Sequence, residues 1–389
     1  MKQISYRWIV ACVSVSFLLV GGSVTQADRP GSNATMRFAV GKNGRPILIP
    51  VKLNGRIAQF LLETGAAKTC FDNSLKSEVG PVTGTATFST PTGLQTTTLF
   101  QCPEAHVGSL SLHDVKTIGC VDLKPIRYVT GLDIYGIVGA DFCLGKRLEI
   151  DFDTGAIAFG PMPRSESPKA AELIELPLAM ITGVPHVRME LPGGKEEWIA
   201  IDTGANRTTV RSVVLDDLVN TDDASYIASH SAVSAGGISR SRFGKLSFLK
   251  LGTQRIEDVV IDGDSLSLLG LDQLSRFHLI MDLRNNKLTL SKGTAFLKPS
   301  PDATSGMSII QDHGVKIVVG VKSRGPAFDA GIMAGDQILK VNGKPASNID
   351  MFELREILTY GPEKTVRLEI KRRQRLELAN LKLSAVGLR

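Results

Sequence analysis

The sequence lacks the signatures of most hydrolytic chemistries. No Gly-x-Ser-x-Gly run occurs among its 389 residues, so the nucleophile elbow of the serine hydrolases has no candidate. The six histidines, His106, His113, His186, His230, His278 and His313, show no His-Glu-x-x-His spacing and no pairing with cysteine, so no metal and no cofactor is expected. Gly236-Gly-Ile-Ser-Arg-Ser241 lacks the spacing and the ending of a phosphate loop. A formal net charge of +6 is too mild to imply a nucleic-acid partner. Long apolar runs are also scarce. Only Trp8 to Val20 is uncharged and largely apolar, and it is shorter than the ~20 residues of a bilayer span.

That run follows Lys2 and Arg7 and precedes Thr25-Gln26-Ala27, the layout of a secretory signal over residues 1–27. Export to a periplasmic or extracellular compartment is expected, or membrane anchoring if the signal is uncleaved. Cys12 lies in this segment. Cys70, Cys102, Cys120 and Cys143 remain, an even count that suggests disulfides in an exported chain, with three possible pairings. With 43% hydrophobic and 22% charged residues, the rest has the composition of a folded protein.

What the sequence does contain is an internal repeat. Phe60-Leu-Leu-Glu-Thr-Gly-Ala-Ala-Lys-Thr69 matches Ile199-Ala-Ile-Asp-Thr-Gly-Ala-Asn-Arg-Thr208 at an offset of 139. Val107-Gly-Ser-Leu-Ser-Leu-His-Asp-Val115 matches Leu251-Gly-Thr-Gln-Arg-Ile-Glu-Asp-Val259 at 144. Ile137-Val-Gly-Ala-Asp141 matches Leu268-Leu-Gly-Leu-Asp272 at 131. Three blocks in one order with slightly different spacings are the trace of a duplicated domain whose loops have changed length. The copies are expected at 28–165 and 166–292, with Pro161 to Ala171 as the connection. Short β-rich runs broken by Gly, Pro and Asn make each a mostly β lobe. Gly-, Pro-, Ser- and Lys-rich residues at 293–304 then mark a linker, and 305–389 read as a small mixed domain. Its helix carries Met351, Leu354, Ile357 and Leu358 at apolar spacing.

The repeated motif carries chemistry. Trp198-Ile-Ala-Ile201 delivers Asp202 into a turn, where Gly204 admits close approach and neighbouring N–H groups can hold the carboxylate. The repeat brings Glu63 to the equivalent position. Two carboxylates about 3 Å apart share a proton and titrate as a pair, so one activates water while the other polarises a carbonyl. A second Asp-Thr-Gly, Asp153-Thr154-Gly155, aligns in the repeat with the polar Arg284 to Lys287 stretch and reads as a hairpin turn.

From about Arg37 to Leu290 these motifs resemble the retropepsin-like aspartic peptidases in which two lobes are joined in one chain. The resemblance implies a mainly β fold of two β-barrel lobes, a catalytic pair Asp202 and Glu63, and support from Thr203, Gly204, Thr64 and Gly65. It implies that Ile137-Val138-Gly139 and Leu268-Leu269-Gly270 pack beneath the active loops. Substrate would lie under the hairpins Thr83 to Gln95 and Ser234 to Ser239. The family has Asp at both positions, whereas this chain has Glu63. An extra methylene moves a carboxylate by roughly 1.5 Å, and misplacement of about 1 Å can cost about 100-fold in rate. A working endopeptidase and a degenerate one that only binds or scaffolds peptides are therefore both open. Internal duplication makes a monomer sufficient.

Gly325-Pro-Ala-Phe-Asp-Ala-Gly-Ile-Met-Ala-Gly-Asp336 with Val341-Asn-Gly343 resembles a PDZ domain. The resemblance implies a small α+β fold whose loop Gly306-Met307-Ser308-Ile309 binds peptide carboxylates, with Phe352 and Ile357 as pocket residues. Polypeptide substrates or peptide C-termini are the expected partners; a groove that is blocked, or that serves only to dock on the lobes, is the alternative. The basic run Lys371 to Arg375 reads as a hairpin tip.

Overall fold

The computed structural model describes residues 35–37, 45–90, 93–159, 173–234, 237–300, 303–359 and 364–385. The expected signal and the expected connection Pro161 to Ala171 lie outside these residues. Among them, no helix is long and apolar enough to cross a membrane.

The two repeat copies form two large sheets, of nine and eight strands. Their central pattern is the same. In lobe 1, strand Gly136–Val138 pairs parallel with Arg56–Leu62, Ile137 opposite Leu61, and antiparallel with Cys70–Asp72. In lobe 2, Leu268–Leu269 pairs parallel with Lys195–Ile201, Leu268 opposite Ala200, and antiparallel with Thr209–Arg211. A parallel insertion of this kind puts the two acid-bearing strands in the middle of their sheets. The strands before the acids are correspondingly buried: Phe60, Leu62, Ile199 and Ile201 have no exposed surface.

A third sheet joins the lobes. Strand Arg147–Asp151 of the first pairs antiparallel with Phe277–Asp282 of the second, from Arg147 opposite Asp282 to Asp151 opposite His278. This six-stranded sheet makes one continuous apolar core of the two halves. Fully buried Glu149 of this sheet meets His278 Nε2 at 3.0 Å and Arg147 at 3.3 Å.

Asp153 lies in the tight turn between Arg147–Asp151 and Ala156–Phe159, with Gly155 at φ 71°. Its carboxylate accepts from the Thr294 N–H and hydroxyl, so it belongs to a hairpin and not to the cleft. The hairpins expected over the cleft form from Val82–Thr90 with Gly93–Gln101 and from Ala224–Ser234 with Gly237–Leu251. The second is much longer than its glycine-containing tip suggested.

The expected disulfides do not form. Cys70, Cys102, Cys120 and Cys143 are all free thiols. Cys102 Sγ points at the Leu112 carbonyl and Cys70 Sγ at that of Lys68, both at 3.6 Å. Burial pushes the Cys70 and Cys143 thiols up to about 12, so these side chains act as small apolar fillers.

The C-terminal unit has its own core, centred on Val318, Leu354, Val366, Leu368 and Leu381. Among the described residues its sheet ends on strand Met307–Asp312, which there pairs only with Val315–Val321. Arg372 and Arg375 flank a hairpin turn as expected, and Arg372 meets the buried Asp336 at 2.7 Å.

Candidate active site

The Glu63 and Asp202 turns meet at the junction of the lobes and lock by crossed hydrogen bonds. Thr64 Oγ1 donates to Ile201 O at 2.6 Å, and Thr203 Oγ1 donates to Leu62 O at 2.7 Å. Each hydroxyl also accepts the other threonine's backbone N–H, at 3.1 and 3.2 Å. Both threonines are fully buried, and each hydroxyl is donor and acceptor at once. Only Thr or Ser supplies that pair of functions.

The glycines cross over as well. A Cβ on Gly65 would lie 2.3 Å from Asp202 Cγ, and one on Gly204 would lie 2.4 Å from Glu63 Cγ. Each glycine therefore makes room for the acid of the other lobe, not its own. Asp202 Oδ1 accepts the N–H groups of Gly204 at 2.8 Å and Ala205 at 3.1 Å, and Gly65 N–H adds a third donor. No hydrogen bond to the Glu63 carboxyl occurs among the described residues.

That difference separates the two acids electrostatically. Burial, then the nearby Asp202 charge, pushes Glu63 up to about 8. Burial raises Asp202 too, but three backbone donors oppose it. In a coupled pair of this kind the acid with the donors carries the negative charge and its partner keeps the proton. At neutral pH the arrangement thus offers a base at Asp202 and a hydrogen-bond donor at Glu63.

Beneath the turns the later motifs pack as the resemblance implies. Glu63 N–H donates to Val138 O and Asp202 N–H to Leu269 O, both at 3.0 Å. A Cβ on Gly139 would come within 2.6 Å of the Lys68 backbone, and one on Gly270 within 2.4 Å of Arg207 O. Asp141 and Asp272 were not singled out as functional from sequence. Asp141 Oδ1 accepts the Thr69 N–H and hydroxyl at 2.9 and 2.7 Å, and Asp272 Oδ1 those of Thr208 at 2.8 and 2.7 Å. These acids tie down the far end of each active turn. Their signal was present in the repeat, as the acid two residues after each motif glycine.

The turns open into a cavity of about 1540 Å³ whose two sides differ. Lobe 1 contributes Leu61, Val121, Ile134 and Ile137; lobe 2 contributes Ala200, Asp264 and the Arg207–Asp262 pair, joined at 2.9 Å. Asn206 faces the same space, and its enclosed Oδ1 lacks a partner among the described residues. Its counterpart in lobe 1 is Ala67. Among the described residues no group of three His, Cys, Asp or Glu could hold a metal.

In the C-terminal unit, Met307, Ser308 and Ile309 reach the same cavity. Gly306 sits at φ 74° in the turn before them. The Gly306 and Met307 N–H groups are held by Thr304 Oγ1 and Ser305 Oγ at 3.1 and 3.2 Å. A carboxylate is a stronger acceptor than these hydroxyls and could replace them. Phe352 lines the cavity as expected, whereas Ile357 packs on the core of the unit.

Two lobes presenting crossed acid turns, followed by a small α+β unit, have the architecture expected of a retropepsin-like fold with a PDZ domain. Residues 49–142 match the family described as aspartyl protease, and residues 302–383 match that described as PDZ domain. The first match spans the copy that carries Glu63. No curated protein matches the chain.

Proposed function

We propose that the chain is an exported aspartic-type endopeptidase that hydrolyses peptide bonds with Asp202 and Glu63, its PDZ domain binding polypeptide. The observation that carries this reading is the crossed Thr64–Thr203 lock, which holds both acids at the floor of one cleft. Asp202, as carboxylate, takes a proton from water while the water oxygen bonds to the substrate carbonyl carbon. Glu63, protonated, donates to the carbonyl oxygen, which becomes the gem-diol hydroxyl. Collapse of that intermediate breaks the C–N bond, the amine leaves with the proton Asp202 took up, and Glu63 recovers its own. No metal and no covalent intermediate is needed.

A second reading is a catalytically silent peptide-binding or scaffolding protein. It is favoured by Glu63 itself, whose extra methylene shifts the carboxyl from where the shorter Asp holds it. Incubation of the purified protein with a reduced, unfolded polypeptide between acidic and neutral pH separates the two. The endopeptidase reading expects cleavage that Asp202→Asn abolishes. Cleavage absent from wild type but present in Glu63→Asp establishes the silent reading. Equal cleavage by wild type and Asp202→Asn refutes the dyad.

A further inference from the structure

A helix of lobe 1 holds the PDZ domain against the cleft. Helix Lys124–Thr130 ends at Gly131, whose carbonyl accepts from Gln311 Nε2 at 3.3 Å, and the Val129 carbonyl accepts from an Arg355 guanidinium nitrogen at 2.7 Å. Gly131 is wedged so closely that a Cβ there would lie 2.8 Å from Gln311 Nε2 and 3.0 Å from Met351 Cγ. Gln311 lies on strand Met307–Asp312; Met351 and Arg355 lie on helix Met351–Ile357. These are the two walls between which a PDZ-type ligand adds as a strand. The lobe 1 helix therefore caps one end of the groove. Ion pairs Arg45–Asp350 at 2.9 Å and Lys298–Glu356 at 3.2 Å tie the domain to the rest of the chain on either side.

The same helix is also a wall of the active cleft. Ile126 packs on the buried cluster of Leu61, Leu123, Ile134 and Ile137. Leu61 precedes Glu63 by two residues, and Ile137 lies in the strand beneath its turn. One cavity is lined by Glu63 and Asp202, by Ile126 and Val129, and by Ile309 and Phe352. The surface from dyad to groove is thus continuous, and it is apolar along the helix. Strand Met307–Asp312 is the edge of its sheet; the lobe 1 helix covers it at Gln311, and the Met307–Ile309 part faces the cavity, so that part can accept a chain.

We infer that one substrate polypeptide occupies both sites at once. Its carboxy-terminal stretch adds antiparallel to the Met307–Ile309 part of the edge strand, with the terminal carboxylate at Gly306–Ser308. The segment upstream turns out of the groove before that capped end, runs over helix Lys124–Thr130 and enters the dyad cleft. The peptide bond cut then falls at a set distance from a free C-terminus, and the substrates are unfolded carboxy-terminal tails. The inference rests on the endopeptidase reading for the cut and on the shared cavity for the binding.

The test uses the full chain and a random-sequence peptide pool of graded length, from about six to about 25 residues. Extended, these span roughly 20 to 80 Å. Each length is made as free acid and as C-terminal amide. Mass spectrometry of the products of the wild-type protein is expected to place the cuts in long free acids at one distance from the C-terminus. The clustering is expected to vanish in the amides and with Phe352→Ala. A flat distribution, alike for acids and amides, overturns the inference and leaves the endopeptidase reading standing. If no peptide is cut, the endopeptidase reading fails and binding alone decides. On immobilised Asp202→Asn protein, peptides long enough to span both sites should be retained on the order of 100-fold more strongly than short ones. Retention independent of length overturns the inference.

Discussion

Gly65 of one lobe lies against Asp202 of the other, so closely that a Cβ would sit 2.3 Å from the carboxyl carbon. The reciprocal contact of Gly204 is with Glu63, at 2.4 Å from its Cγ. The two contacts are not equivalent. Asp202 is short and fixed by three backbone donors, whereas Glu63 has an additional torsion through which to move. Gly65→Ala should therefore lower kcat/KM by at least about 100-fold, the scale of a displacement near 1 Å, and Gly204→Ala by clearly less. Steady-state kinetics on the two proteins, with folding checked by circular dichroism, compares them. Equal losses would show that the acids are equally mobile.

The threonine lock makes a prediction about stability as well as rate. Thr203→Val removes the donor to Leu62 O and the acceptor for Thr64 N–H, leaving both buried groups unpaired. Each such group costs about 1–3 kcal/mol. Denaturant unfolding should show a loss of roughly that size, with Thr64→Val alike by symmetry, whereas Thr203→Ser should keep most of the stability. A Thr203→Val protein as stable as wild type would mean that water takes over the lost bonds.

The acid-Thr-Gly turns were legible in the sequence because a strand entering a tight turn is a local pattern, repeated here at an offset of 139. The repeat register also sorted Asp153 into a hairpin, where its bonds to Thr294 keep it. The grip of Asp141 on Thr69 spans 72 residues, and its spacing alone assigns no role. The sheet joining the lobes was hidden for a similar reason. Strand Arg147–Asp151 alternates charged and apolar residues as a half-exposed strand does, yet it is buried on both faces, and its pairing with Phe277–Asp282 crosses about 130 residues. The cysteines misled because an even count carries no geometry: the Cys70 and Cys102 thiols face carbonyls, and Cys143 is enclosed in the core. The cap on the PDZ groove was equally unreadable, since it consists of two side-chain bonds to the carbonyls that end a helix.

Asn206 gives the cleft a direction. Its enclosed Oδ1 has no partner among the described residues, and Ala67 occupies the matching place in lobe 1. An extended peptide brings backbone N–H groups along both sides; on the lobe 2 side a turn of the Asn206 amide uncovers its acceptor, and Ala67 on the other side has none to offer. Asn206→Ala should raise KM by about tenfold, the value of one hydrogen bond near 1.4 kcal/mol, with kcat changed less. Full progress curves on one defined peptide give both constants. A fall in kcat alone would place Asn206 with the reacting groups instead.

The proton shared by the dyad should appear in both activity and stability. Asp202 must be ionised to act as base, so kcat/KM should rise on leaving acid, at an apparent pKa above the ordinary 3.8 of an aspartate. Glu63 must keep its proton, so the rate should fall as pH rises through about 8. For folding, a carboxyl raised from 4.5 to about 8 favours the native state fully below 4.5 and loses that contribution as pH climbs toward 8, because the unfolded chain ionises and the buried group does not. Glu63→Gln has no proton to lose there. Its melting temperature should match that of wild type near pH 4 and exceed it by at least about 3 °C at pH 9, the shift that about 1 kcal/mol produces in a domain of this size. Differential scanning calorimetry across that range measures the gap directly. A constant difference between the two proteins at all pH values would mean that Glu63 titrates normally, and the alkaline limb of the rate profile would then need another owner.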